Sequence, residues 1–206
     1  MIDNKLYLEK GKGEPIILLH GLFGALSNWK TVVNQFAKTH RVIIPKIPLT
    51  EVDVKKANLE SLTDYVKKFI NKQRLKNFIL IGNSLGGHIA LIYTILYPKN
   101  VKKLILTGSS GLYENSFGGS FPKRGDYKYI EDRVNHTFYN PDILTKKYVD
   151  DIFKTLNNNA KCLNIITIAR SAQRNNLAKK LYKIKCPTLL VWGPVSYTHL
   201  TLPTIR

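Results

Sequence analysis

Hydrophobic and polar positions along the chain alternate between two kinds of block. Residues 15–20 (Pro-Ile-Ile-Leu-Leu-His) form a short continuous apolar run, the pattern of a strand buried on both faces. Similar runs at 41–45, 77–81, 101–107 and 187–192 predict four more strands, and a weak alternation over 5–10 predicts an early one before the turn at Gly11, Lys12 and Gly13. Between them the period changes to that of a helix. Ser27 or Asn28 can cap a helix reaching about residue 38, with Trp29, Val32, Val33 and Phe36 on one stripe. Residues 59–71 place Leu62, Tyr65, Val66, Phe69 and Ile70 on one face, and a helix over 85–97 ends before Pro98. Strands alternating with helices imply a mostly parallel sheet covered on both sides.

The stretch from 108 to 185 breaks that rhythm. A Gly/Ser-rich loop over 108–119 leads into predicted helices at 126–138, 146–156 and 160–173. This reads as a helical insertion in an α/β sheet.

The full chain of 206 residues is 44% hydrophobic, a globular composition for one domain with an inserted subdomain. Two cysteines, Cys162 and Cys186, are too few for a disulfide scaffold or a four-cysteine zinc site. No apolar run reaches the roughly 18 residues of a membrane span, and the first residues lack an apolar core of signal-peptide length. The expectation is a soluble, cytoplasmic chain. The formal net charge of +18 raises the question of a nucleic-acid partner. The basic residues, however, are 25 Lys against 7 Arg, spread without a dense block. Arg is the better bidentate phosphate reader, and Lys, Asn and Ile are abundant together, as A/T-rich codons would produce. The charge is therefore assigned to codon usage, with no nucleic-acid partner.

One turn carries chemistry. Gly82-Asn83-Ser84-Leu85-Gly86 fits G-x-S-x-G between a predicted strand and a predicted helix, the context that motif requires. A serine there occupies a sharp turn that lifts its Oγ above the sheet. A Cβ two residues before or after would crowd the turn, hence Gly82 and Gly86. The following helix directs its partial positive end at the site, and the Leu85 N–H becomes a donor for a developing oxyanion. The bare motif arises by chance in about one chain of this length in fifteen; the strand before, the helix after, and His20-Gly21 at the end of an earlier strand give it weight.

On these residues the sequence resembles the α/β-hydrolase fold family from about residue 5 to 193. The resemblance implies a core at 1–110, a helical cap at 111–183 and a return to the core at 184–193. It implies Ser84 as catalytic nucleophile and the backbone N–H of Leu22, with Phe23 as alternate, as the second oxyanion donor beside Leu85. His20 would brace the loop rather than move protons, and Asn83 would bond within the elbow or fill it. It further implies a small-molecule acyl substrate, no cofactor, no metal and no membrane partner, and leaves the oligomeric state open. The activity expected is hydrolysis of an ester or related acyl bond.

The family's order is Ser, then Asp, then His. Here no Asp or Glu follows Asp151, and the late His199 stands too close to the last strand. Residues 195–204 match one translated frame of a transposon-end sequencing adapter, so residues 194–206 are expected to be a non-native tail and the catalytic Asp and His to be missing. His88, one helical turn after Ser84, reads as a packing residue before a site residue. Cys162 and Cys186 read as structural. The aromatics Phe117, Phe121, Tyr127, Tyr129, Phe138 and Tyr139 either line an acyl pocket or seat the cap.

Two other functions stay open. Asn83 and the Gly/Ser-rich stretch are similar to hydrolases that cleave C–C bonds in ring-fission products. Those carry a cap arginine, which 156–162 lacks, leaving Arg170 and Arg174 as substitutes. A non-catalytic binding protein on the same fold is the reading from a different class.

Overall fold

The structure, a computed structural model, describes residues 2–3, 6–23, 29–112, 123–135 and 144–193. Among them runs a seven-stranded sheet: β1 (Ile2–Asp3), β2 (Tyr7–Lys10), β3 (Glu14–Leu19), β4 (His40–Pro45), β5 (Phe78–Asn83), β6 (Val101–Thr107) and β7 (Thr188–Val191). Spatial order is β1-β2-β4-β3-β5-β6-β7. The β1–β2 and β2–β4 pairs are antiparallel and the rest are parallel.

Alternation along the central strands divides the core. Ile16 and Leu18 of β3, Val42 and Ile44 of β4, and Ile79 and Ile81 of β5 pack on one face with Trp29 and Val33. Ile17, Leu19, Ile43, Phe78 and Leu80 face the other side. There they meet α2 (Leu59–Lys72) and α3 (Leu85–Leu96). The first face is covered by α1 (Lys30–Phe36). Phe36, expected on its inward stripe, is 41% exposed. The helix ends at that residue, and the ring leans edge-on against His40 instead. The proposed cap residues Ser27 and Asn28 lie outside the described residues.

Local chemistry sets the helix ends. Asn58 caps α2 by accepting from the Ser61 N–H, and Leu59, Leu62, Val66, Phe69 and Ile70 form its buried stripe. Tyr65 is only half-buried because its hydroxyl donates to the Lys46 carbonyl, 3.0 Å away. By contrast, α3 is buried nearly all round, Tyr93 included, whose ring lies 6.0 Å from that of Phe78.

Between β6 and β7 come α4 (Tyr127–Asn135), α5 (Lys146–Asn157) and α6 (Asn159–Arg174). Their inward residues, among them Ile130, Val149, Ile152, Ile165 and Ile168, join the same core cluster as α2 and α3. Cys162 is buried within it, and Cys186 is half-buried before β7. Of the early aromatics, Tyr127 packs its ring, tilted, 5.2 Å from that of Phe153 and donates to Asp150, whereas Tyr129 lies near Lys123 and Arg133. Both therefore have contacts within the insertion. Phe117, Phe121, Phe138 and Tyr139 lie outside the described residues.

The last strand differs from its apolar pattern. β7 pairs with β6, yet Leu189, Leu190 and Val191 are 55%, 42% and 47% exposed. Among the described residues it is an edge, with no strand beyond it and no helix covering those side chains. An exposed apolar edge favours strand-to-strand association. Leu190→Lys is expected to reduce self-association relative to the parent chain, measured by light scattering across a concentration series.

Candidate active site

The chain places its chemistry where the strand order reverses. After β3 it moves outward to β4, then returns to the other side of β3 as β5. The carboxyl ends of β3 and β5 therefore open a crevice, the usual ligand position in a parallel sheet. The loop His20–Gly21–Leu22–Phe23 leaves β3 there, and Ser84 leaves β5 beside it.

Ser84 joins β5 to α3 with φ 51° and ψ −117°. A side chain in that region costs about 1–3 kcal/mol, so the surroundings must hold it. They do so from several directions. The Ser84 N–H donates to the Thr107 carbonyl at 3.1 Å, and its own carbonyl accepts from the N–H groups of His88 and Ser110 at 3.1 and 3.2 Å. Asn83 braces the same junction, its amide donating to the carbonyl and hydroxyl oxygens of Thr107 at 3.1 and 3.0 Å.

Close packing explains the two glycines. A Cβ on Gly82 would stand 2.5 Å from the Gly86 carbonyl oxygen and 2.6 Å from the Gly87 Cα. One on Gly86 would run into the carbonyls of Leu19 and His20. The strand ends and the helix thus approach backbone to backbone. Gly21 lies against Ser84 as well, where an added Cβ would come within 3.2 Å of the Ser84 Cβ.

Leu85 opens α3 and is buried. Leu22 is half-buried against the main core, and Phe23 is 36% exposed. The loop carrying them is tied at its base by His20. Its Nε2 accepts from the Ile47 N–H at 3.2 Å, and its Nδ1 lies 2.9 Å from the Gly21 carbonyl. That pairing requires the proton on Nδ1 and a neutral ring. Burial pushes the His20 pKa down, which favours the same form.

Ser110 and His88 also meet at this turn. The His88 Nδ1 lies 3.2 Å from the Ser110 Oγ, so the histidine, the serine and the Ser84 carbonyl form one cluster behind the turn. The His88 side chain is sealed from solvent. Among the described residues its Nε2 has no hydrogen bond of good geometry, although Asn175 is near enough to favour the proton. Burial dominates and pushes its pKa from 6.5 to about 4. The signal for Ser110 was only its place in the loop after a predicted strand. No His, Cys, Asp or Glu cluster fit for a metal occurs among the described residues, nor does a helix long and apolar enough to cross a membrane. His199 lies outside the described residues.

Two measurements check this account. Gly86→Ala forces a side chain into two carbonyls and is expected to cost about 1–3 kcal/mol by overpacking, read from urea unfolding. For His88, the fold demands the neutral ring while the unfolded chain does not. Both states are neutral above pH 6.5; below it the unfolded chain takes up a proton first, until the folded ring follows near 4. Stability is thus expected to fall as pH drops through that window, by at most about 1.4 kcal/mol per pH unit from this group. Unfolding curves across the window should show a shallower fall for His88→Gln.

The geometry agrees with what the chain is similar to. The family model for the alpha/beta hydrolase fold matches residues 14–142. An α/β hydrolase from the metagenome of sediments of the Mar Chica lagoon, Morocco, shares 37% identity with a TM-score of 0.72, over 94% of this chain and 74% of that structure. Lipase 1 of Psychrobacter immobilis is 28% identical over 93% of this chain, which spans 65% of that relative. The 2-hydroxy-6-oxo-6-phenylhexa-2,4-dienoate hydrolase of Comamonas testosteroni is 27% identical over 91% of this chain and 73% of its own length. With a family match across most of its length and the strand–serine–helix turn that the sequence foretold, this chain belongs to the α/β-hydrolase family.

Proposed function

We propose that this chain is the nucleophile-bearing part of a serine hydrolase acting on an ester or related acyl substrate. The observation that carries the reading is Ser84, held at φ 51° at the start of α3 over the crevice between β3 and β5. In this mechanism the Ser84 Oγ attacks the substrate carbonyl. The N–H groups of Leu85 and Leu22, with Phe23 as alternate, stabilise the oxyanion, aided by the positive end of α3. Collapse of the tetrahedral intermediate expels the alcohol and leaves an acyl-enzyme, which water hydrolyses. A His base and an orienting Asp from sequence beyond this chain would remove the Ser84 proton and return it to the leaving group. The insertion between β6 and β7 acts as a cap that sets substrate size.

A second reading has specific support. Asn83 precedes the nucleophile and is bonded to Thr107, and one similar protein is a dienoate hydrolase. Cleavage of a C–C bond in a ring-fission product would use the same serine, with Arg170 or Arg174 of α6 as the partner for the substrate carboxylate.

Fluorophosphonate labelling tests the proposal. Without its triad partners the serine retains only the residual catalysis of an oxyanion hole, about 10³–10⁴ over water, so slow labelling at Ser84 is expected in this chain and none in Ser84→Ala. A longer gene product that carries a His and an Asp should label fast at Ser84 and cleave p-nitrophenyl esters. Fast labelling of the 206-residue chain would show that it already holds a base, and labelling at another residue would overturn the role of Ser84. Turnover of dienone acids in place of esters by the longer product would select the second reading.

A further inference from the structure

One hydrogen bond joins the helical insertion to the loop that follows β3. The hydroxyl of Tyr148, in the first turn of α5, donates to the Phe23 carbonyl at 2.8 Å across 125 residues of sequence. We propose that Tyr148 is a positioning residue: it anchors the far end of this loop and so sets the alignment of the Leu22 and Phe23 N–H groups against Ser84. The inference rests on the reading of Ser84 as nucleophile with its oxyanion donors in that loop.

The two ends of the loop are held by different means. At its base, His20 accepts from the Ile47 N–H, and Gly21 packs against Ser84. Beyond it, Phe23 is 36% exposed. The carbonyl of the same residue is what Tyr148 grips. Holding that oxygen restrains ψ at Phe23, and through it the orientation of the preceding N–H groups.

An anchor is useful only if it is itself fixed. Thr145 caps α5, its hydroxyl and carbonyl accepting from the Tyr148 N–H at 3.3 and 2.8 Å. Val149, Ile152 and Leu156 bury the inner face of the helix in the main core, and the half-buried Tyr148 ring packs against the same cluster. α6, which lies against α5, is bonded to the core in its turn. The Asn164 amide donates to the Val52 carbonyl at 2.8 Å, and the Ser171 hydroxyl accepts from the Leu59 N–H at 3.2 Å. The phenol is therefore presented from a braced helix. Placement of the insertion and order in the oxyanion loop become one property.

Tyr148→Phe keeps the ring and removes only the hydroxyl. Two readouts are compared in the full chain: amide hydrogen exchange at Leu22 and Phe23, and the affinity of phenylboronic acid, whose tetrahedral adduct with a serine places an oxygen in an oxyanion hole. Loss of one hydrogen bond of ordinary strength predicts faster exchange at both amides and weaker boronate binding, each by about threefold to tenfold, with exchange at Ile152 unchanged. Unchanged exchange at Leu22 and Phe23 would overturn the anchor. Faster exchange with unchanged boronate affinity would overturn the positioning role. Boronate binding that survives Ser84→Ala would instead overturn the reading of Ser84, and the exchange comparison would still decide whether Tyr148 holds the loop.

Discussion

The site depends on a backbone-to-backbone contact. At Gly86 the first turn of α3 meets the carbonyls at the end of β3, and at Gly82 the last residues of β5 meet the same helix. Neither approach leaves room for a Cβ. Everything else about the site follows from this distance. It drives Ser84 into its left-handed turn, brings the loop after β3 alongside, and aims the start of α3 into the crevice.

Such a turn is costly, and the structure offsets the cost by satisfying polar groups where the chain cannot do so itself. The Ser84 carbonyl lies at a helix start, yet it accepts from Ser110 as well as from His88. Its N–H finds Thr107 on the next strand, and Asn83 reaches the same residue. Because β5 and β6 are parallel and adjacent, the end of one supplies partners for the end of the other. The buried His88 belongs to this arrangement as a neutral ring, which is the state a sealed site permits without a partner charge.

The helical insertion is continuous with the core beneath it. Its inward residues share a cluster with α2 and α3, and its two ends are clasped together where they leave and rejoin the sheet. The Leu177 N–H donates to the Gly111 carbonyl at 2.7 Å, and the Asn176 amide donates to the Leu112 carbonyl at 2.6 Å. Gly111 lies directly over the His88 ring, where an added Cβ would come within 2.7 Å of Cδ2. The clasp, the histidine and the Ser84 carbonyl are thus neighbours in one packed unit.

Period and punctuation alone determined the alternating order of strands and helices, the helical insertion, and Ser84 at a strand-to-helix turn. Those features are written locally: apolar runs for buried strands, stripes for helices, and glycines where a turn has no space. The tertiary structure decided the rest, because it depends on groups distant along the chain. The stripe places Phe36 inward, but α1 stops at that residue and the ring turns to His40. β7 carries the apolar pattern of a buried strand, yet its place at the edge leaves its side chains exposed. Nothing in the spacing foretold Ser110 behind Ser84 or Tyr148 on the loop after β3. A hydrogen bond across 125 residues leaves no periodic trace in sequence; it exists only once packing has fixed both of its ends.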